Sequence, residues 1–201
     1  MAKAAITRFT ILQQAFDLIY RQGYQSTSID EIIATTNVTK GAFFYHFKNK
    51  EEMGLAIINE VMFPSMKQTT FQLLENSVDP VKDIYAMMKY LLLEDPYLKV
   101  QYGCPAGNLT QEMSPLNNEF SRALAKLVEQ WQEVLKKSIT AGKKAGTIRS
   151  NVDARQVAYF VMSGYWGIRN VAKLHHSKDA YIIYLKELKH YLKSLKSSEN
   201  N

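Results

Sequence analysis

Three helix starts crowd into one stretch, STSIDEIIATTNVTKGAFFYHFKNKEEM, residues 26–53. Ser28 followed by Glu31, and Asn49 followed by Glu52, each fit a capping box. In that pairing the cap side chain takes the third amide of the helix and the carboxylate returns to the amide of the cap. Thr39 supplies a third cap between them. Starts this close leave room only for helices of one or two turns, which are not stable in isolation. They must pack on a longer neighbour. One precedes them: from Ile6 to Tyr20 the apolar residues Ile11, Leu12, Ala15, Phe16, Leu18 and Ile19 recur at three- and four-residue spacing, and Gly23 ends the run.

The same period continues through the chain, and no strand-like alternation of useful length interrupts it. A long helix is expected from about Lys50 towards Glu75. Five further helical segments follow, at 79–95, 97–113 (irregular around Gly103, Cys104 and Pro105), 117–145, 151–176 and 178–196. The fold class is therefore all-α, with a small N-terminal three-helix domain and a larger C-terminal helical domain. The expected boundaries are 1–50 for the first, 51–197 for the second, and a frayed tail at 198–201.

The chain has 201 residues, a formal charge of +6 and 46% hydrophobic residues, enough for a real core. Half of that net charge lies in the first 50 residues, which suits an anionic partner at that end. A single cysteine, Cys104, forms no internal disulfide and assembles no multi-cysteine metal site. With no apolar run of membrane-spanning length and no signal-peptide core, the expectation is a soluble, cytoplasmic protein without membrane contact.

The short helices give the aromatic cluster Phe43 to Phe47 a purpose. The second and third helices, joined by a four-residue turn, form a helix-turn-helix candidate whose last helix enters a major groove. Lys40 reaches a guanine edge or a phosphate, Gly41 permits close backbone approach, and Ala42 meets a thymine methyl. Tyr45 and His46 present polar tips to phosphate oxygens, while Phe43 and Phe47 turn inward as anchors. Lys50 adds a phosphate contact at the next helix start, and Asn37 fits a left-handed turn position. The alternative for the cluster is an ordinary aromatic core.

Residues 6–55 closely resemble the DNA-binding domain of the tetracycline-repressor (TetR) family of bacterial regulators. The matching elements are Thr7-Arg8, Gly23-Tyr24, Thr27-Ser28-Ile29, Ile32-Ile33-Ala34, Val38-Thr39-Lys40-Gly41, Tyr45-His46-Phe47 and Lys50-Glu51-Glu52. The resemblance implies a homodimeric repressor on double-stranded operator DNA, with an effector-binding and dimerisation domain after residue 55. It places Thr27 and Ser28 at phosphate, Thr39, Lys40, Gly41 and Ala42 on the reading face, and Tyr45, His46 and Lys50 on the DNA backbone. Phe44 stands where the family usually has Tyr, which removes one phenolic hydrogen bond and leaves a contact to a methyl or sugar.

The second half offers an apolar, aromatic cavity as an effector site, with Tyr85, Met88, Tyr90, Met113, Trp131, Tyr159, Met162 and Tyr165 as candidate lining; simple core packing is the competing reading for each. Cys104 is a candidate thiol sensor or an inert buried thiol. The Gly-Cys segment with its Asn-Leu-x-x-Glu pattern resembles one in a subset of the family. In some members of that subset a cysteine senses electrophiles or oxidants, which the resemblance extends to Cys104; in this chain Asn108 and Glu112 instead supply polar contacts to a ligand, or cap and solvate their helix. Ser163, Gly164 and Gly167, with Tyr184 and Leu188, are candidates for the dimer interface, since glycine inside a helix costs about 1 kcal/mol and asks for a packing reason. The effector itself is an unidentified small molecule, with thiol modification at Cys104 as a second route to release. An adaptor or ligand-binding protein that no longer reads DNA is the alternative function, with Phe44 its only support. His46, His175, His176 and His190 show no metal or triad spacing, so no catalytic residue, cofactor or metal is expected.

Overall fold

The computed structural model describes residues 3–75 and 77–197; the expected frayed tail lies outside the described residues. Helix α1 (Lys3–Gln22) is followed by α2 (Ile29–Thr35) and α3 (Lys40–His46), as the cap signals require. All three caps form. Ser28 and Glu31 make both halves of the capping box, Thr39 accepts from the Ala42 amide, and Asn49 from the Glu52 amide.

The long helix expected from Lys50 forms but is not uniform. It starts as Lys50–Ala56, widens into π-type turns at Ile57–Met62, tightens at Phe63–Met66, widens again at Lys67–Phe71 and closes at Gln72–Glu75. Residues 50–75 are called α4 here. Pro64 sits between the two wide stretches, where its missing N–H breaks the regular ladder. Next come α5 (Pro80–Lys89, with wide turns on to Glu94), a 3₁₀ turn at Val100–Tyr102, α6 (Pro105–Met113), α7 (Asn118–Lys144), α8 (Ala154–His175) and α9 (Asp179–Ser194).

The chain groups into two compact units that cut across the boundary expected at residue 50. One is the chain up to Met66 with Pro105–Leu127; the other is Lys67–Cys104 with the chain from Val128 onward. The first unit gains α6 and the start of α7 because Tyr24 packs edge-on to Phe120 at 5.0 Å, directly over Gly54. A methyl at Gly54 would sit 2.5 Å from Phe120 Cζ and 2.7 Å from Tyr24 Cε2, so this crossing requires glycine. Its core is Ile11, Leu12, Ala15, Ile19, Ile32, Phe43, Phe47 and Met53, all buried.

The second unit is built around a charge. Arg169 on α8 is fully buried and donates from Nε to Gly103 O (3.0 Å), from one terminal nitrogen to Leu91 O (3.2 Å) and from the other to Lys99 O (3.1 Å) and Gly103 O (2.5 Å). The rings of Tyr165 and Tyr181 flank the guanidinium at 5.8 and 5.7 Å. A buried charge is tolerated only where oxygens replace its water, and these carbonyls do so. They also tie the irregular 91–103 stretch to α8. The unit is closed by the bend after α7, whose Ile148 pairs antiparallel with Lys196.

Candidate nucleic-acid interface and the buried polar groups of the second unit

Helix α3 is amphipathic in a way that leaves one side unused by the protein. Phe43 (0% exposed) and Phe47 (1%) anchor it, whereas Phe44 (44%) and Tyr45 (77%) point outward. Thr39, Lys40 and Gly41 share the exposed side, with Ala42 and His46 partly covered. A methyl at Gly41 would meet nothing within 4 Å. Nothing inside the fold requires a glycine at this position of the short helix. The Lys40 ammonium rests 3.0 Å from Asp30 on α2 in a fully exposed pair. Such a pair is weak and exchanges readily for a phosphate or base edge.

Two expected contacts are used differently. Thr27 is fully buried, and its hydroxyl donates to Gly23 O at 2.7 Å, so it fixes the α1–α2 turn from within rather than meeting phosphate. Ser28 stays exposed, but its hydroxyl donates to Glu31 Oε2 and accepts the Glu31 amide. The Ser28 amide donates to Glu31 Oε2 as well, at 2.7 Å, and this bond, with that from the Ser28 hydroxyl, holds the Glu31 carboxyl below the usual carboxylate range. Lys50 lies over the Tyr24 ring at 4.4 Å and donates to Gln25 O at 3.4 Å. Desolvation lowers its pKa, opposed by the nearby Glu112 and Glu31. Asn37 adopts no left-handed backbone: among the described non-glycine residues only His176 has a positive φ.

Arg8, a matching position with no role legible in the sequence, is a positioning group. From α1 it donates to the His46 carbonyl at the end of α3 (2.9 Å), pairs with Glu60 on α4 (2.6 Å) and covers the Phe47 ring at 4.3 Å. The bonds to Glu60 raise its pKa. The α3 helix is thus bolted at its C-terminal end to α1 and, through Arg8, to α4.

In the second unit, Met88, Cys104, Trp131, Met162 and Tyr165 are buried, and Tyr85 is half-buried under the Lys189 ammonium. Trp131 meets Tyr165 edge-on at 5.3 Å. Three side-chain donors of this unit have no partner although buried: Trp131 Nε1, Ser138 Oγ and Tyr181 Oη. Tyr159 does not join them. It is exposed in a groove of about 280 Å³ between α7 and α8, lined also by Glu129, Lys136 and Arg155. Asn108 belongs to the first unit, on α6.

The proposed dimer residues divide. Gly164 is explained within the chain, because a methyl there would lie 2.5 Å from Tyr184 Oη, and burial pushes the Tyr184 phenol up to about 12. Leu188 is core. Ser163 and Gly167 are exposed, and a methyl at Gly167 would meet nothing within 4 Å. Around them Phe160, Val171 and Leu174 on α8 and Ile183 on α9 leave apolar surface uncovered.

Comparison with known proteins settles which module this is. The family model described as "Bacterial regulatory proteins, tetR family" matches residues 11–57, and "Tetracyclin repressor-like, C-terminal domain" matches residues 83–187. The chain belongs to the TetR family. An HTH-type transcriptional regulator from the lacX 3' region of Lactococcus lactis subsp. lactis is 32% identical over 67% of this chain and 69% of its own. The HTH-type transcriptional repressor DhaR of Mycobacterium sp. (strain GP1) is 28% identical over 89% of this chain and 88% of its own. A TetR transcriptional regulator from Chloroflexus aurantiacus J-10-FL superposes with a TM-score of 0.88, at 25% identity over 98% of both chains. The protein is a helix-turn-helix, DNA-binding transcriptional repressor, in a family of regulators rather than enzymes that binds operator DNA and acts as dimers. Among the described residues no helix of this TetR-family chain is long and apolar enough to cross a membrane.

Proposed function

We propose that this protein is a homodimeric cytoplasmic repressor whose two α3 helices read a near-palindromic operator and which a small molecule releases. The observation that carries the reading is the outward face of α3: Gly41 with no internal neighbour, beside exposed Thr39, Lys40 and Tyr45. The residues put forward for DNA are Ser28, Thr39, Lys40, Gly41, Ala42, Phe44, Tyr45 and His46, with Lys50 available only by leaving Tyr24 and Gln25. The uncovered apolar strip through Phe160, Gly167, Val171 and Ile183 is put forward as the surface that a second copy covers. It pairs small residues with bulky ones, as close helix approach requires.

For the effector, the unpartnered Trp131 Nε1 and Tyr181 Oη favour a ligand with hydrogen-bond acceptors, because an unmet buried donor costs about 1–3 kcal/mol. Burial of Cys104 speaks for such a ligand over direct thiol modification, which needs an accessible thiolate. Cys104→Ser should leave release by a non-electrophilic effector intact.

Fluorescence-anisotropy titration on the DNA upstream of its own gene, against scrambled DNA at several salt concentrations, tests the reading. Preference of about 10³-fold with two protomers per site is expected. Tyr45→Ala should weaken binding to every sequence alike, and selective loss at one base pair would contradict its phosphate role.

A further inference from the structure

The α1–α2 turn, from which the reading helices hang, is held by a carboxylate from far along the chain. Glu112, near the end of α6, accepts from the Tyr24 amide through Oε2 (2.8 Å) and from the Gln25 amide through Oε1 (2.5 Å). Gly23 makes this possible. Its φ of +93° turns the two following amides to one side, and a methyl on it would lie 3.3 Å from Glu112 Oε2. Consecutive amides pointing into one concavity form a site for an anion, and here the anion is a side chain of the protein. The next peptide is held as well, since Gln25 O accepts from Lys50, whose ammonium also covers the Tyr24 ring. A second link lies one turn on: Asn117 Nδ2 donates to Glu51 Oε1 at 2.7 Å.

A turn held only for stability needs no such device. Thr27 already closes it internally through Gly23 O, and Tyr24 is buried against Phe120. What the Glu112 bonds add is orientation. They fix the angle at which α2, and α3 behind it, leave the segment Pro105–Leu127. That segment begins directly after Gly103 and Cys104, and the Gly103 carbonyl is itself held by Arg169.

We propose that Glu112 is a positioning residue for operator recognition: its two-amide grip on Tyr24 and Gln25 sets the attitude of the reading helices, and loosening it broadens the half-site spacing the repressor accepts. This rests on the operator-binding reading above, and it assigns that site its mechanical control. Coupling of this kind commonly changes affinity between about fivefold and 150-fold.

The test uses the full-length protein. A duplex is first selected from a random library with the wild type, and derivatives are made with the half-sites moved together or apart by one or two base pairs. Glu112→Ala should bind the selected duplex about tenfold more weakly and lose most of the preference between spacings. Glu112→Gln, which keeps one acceptor oxygen, should fall between. Amide hydrogen exchange should quicken at Tyr24 and Gln25 while Phe43 keeps its protection, showing a folded domain with a loosened turn. A Glu112→Ala protein with the wild-type spacing profile overturns the proposal. So does one whose affinity falls equally at every spacing in step with its folded fraction, because that is a stability effect alone. A wild type that selects no duplex overturns the operator-binding reading instead, and this inference with it.

Discussion

The outward face of α3 and the Arg169 site in the second unit carry positive charge in opposite ways. Lys40 and Tyr45 lie in water and touch little of their own protein, so the fold spends almost nothing to hold them. Arg169 is fully shielded from solvent, and its neighbours are fixed by its bonds to Leu91, Lys99 and Gly103. The first arrangement leaves side chains available to a partner. The second uses a charge as a brace, because carbonyls on an irregular stretch otherwise lack donors. A reading surface and a structural brace are therefore told apart by what removal leaves behind: lost binding in one case, orphaned oxygens in the other.

The largest effect should come from the brace. Arg169→Leu should cost about 4 kcal/mol of stability, since several charge-assisted bonds go and buried carbonyls are left unmet. Urea unfolding measures this, and a loss below about 1 kcal/mol would erase the contrast. Lys40→Ala should do the reverse. Stability should stay within about 0.5 kcal/mol of wild type, because its pair with Asp30 is exposed. Operator binding should either lose discrimination at one base pair or show a salt slope smaller by about 1, which separates a base contact from a phosphate contact.

Ser28→Ala lies between these cases. It removes a cap and should cost about 1 kcal/mol in thermal unfolding, with little effect on sequence preference. The smallest effect is a pH dependence in the same capping box. The folded-state pKa of Glu31 is depressed, so its contribution is present above the unfolded carboxylate value of about 4.3 and is lost as pH falls through the lower folded value. The stability difference between wild type and Glu31→Gln should therefore vanish on acidification. A difference that persists in acid would assign the effect to packing.

These expectations also mark how far the sequence could be read. Ser28, Thr39 and Asn49 each act on the amide three residues on, so their caps were legible directly, and with them the helix starts at Ile29, Lys40 and Lys50. The inward turn of Phe43 and Phe47 followed from helical spacing. Thr27 and Lys50 were assigned to phosphate; the structure buries Thr27 on the Gly23 carbonyl and lays the half-buried Lys50 over the Tyr24 ring, because each finds a partner within the folded domain. Arg169 left a faint sign, an arginine in the apolar run of α8 four residues after Tyr165 and eight after Val161, but nothing local names its partners. Glu112 left less: it read as a ligand contact or a solvated end of its helix, while its partners lie 88 and 87 residues away.

By itself the sequence determined the helices, their caps, the all-α class and the module that reads DNA, since each depends on side chains acting over a turn or less. Only the tertiary structure decided which polar groups face a partner and which are consumed as internal braces. Burial and hydrogen-bond pairing between distant residues are properties of the packed chain, and no periodicity along it encodes them.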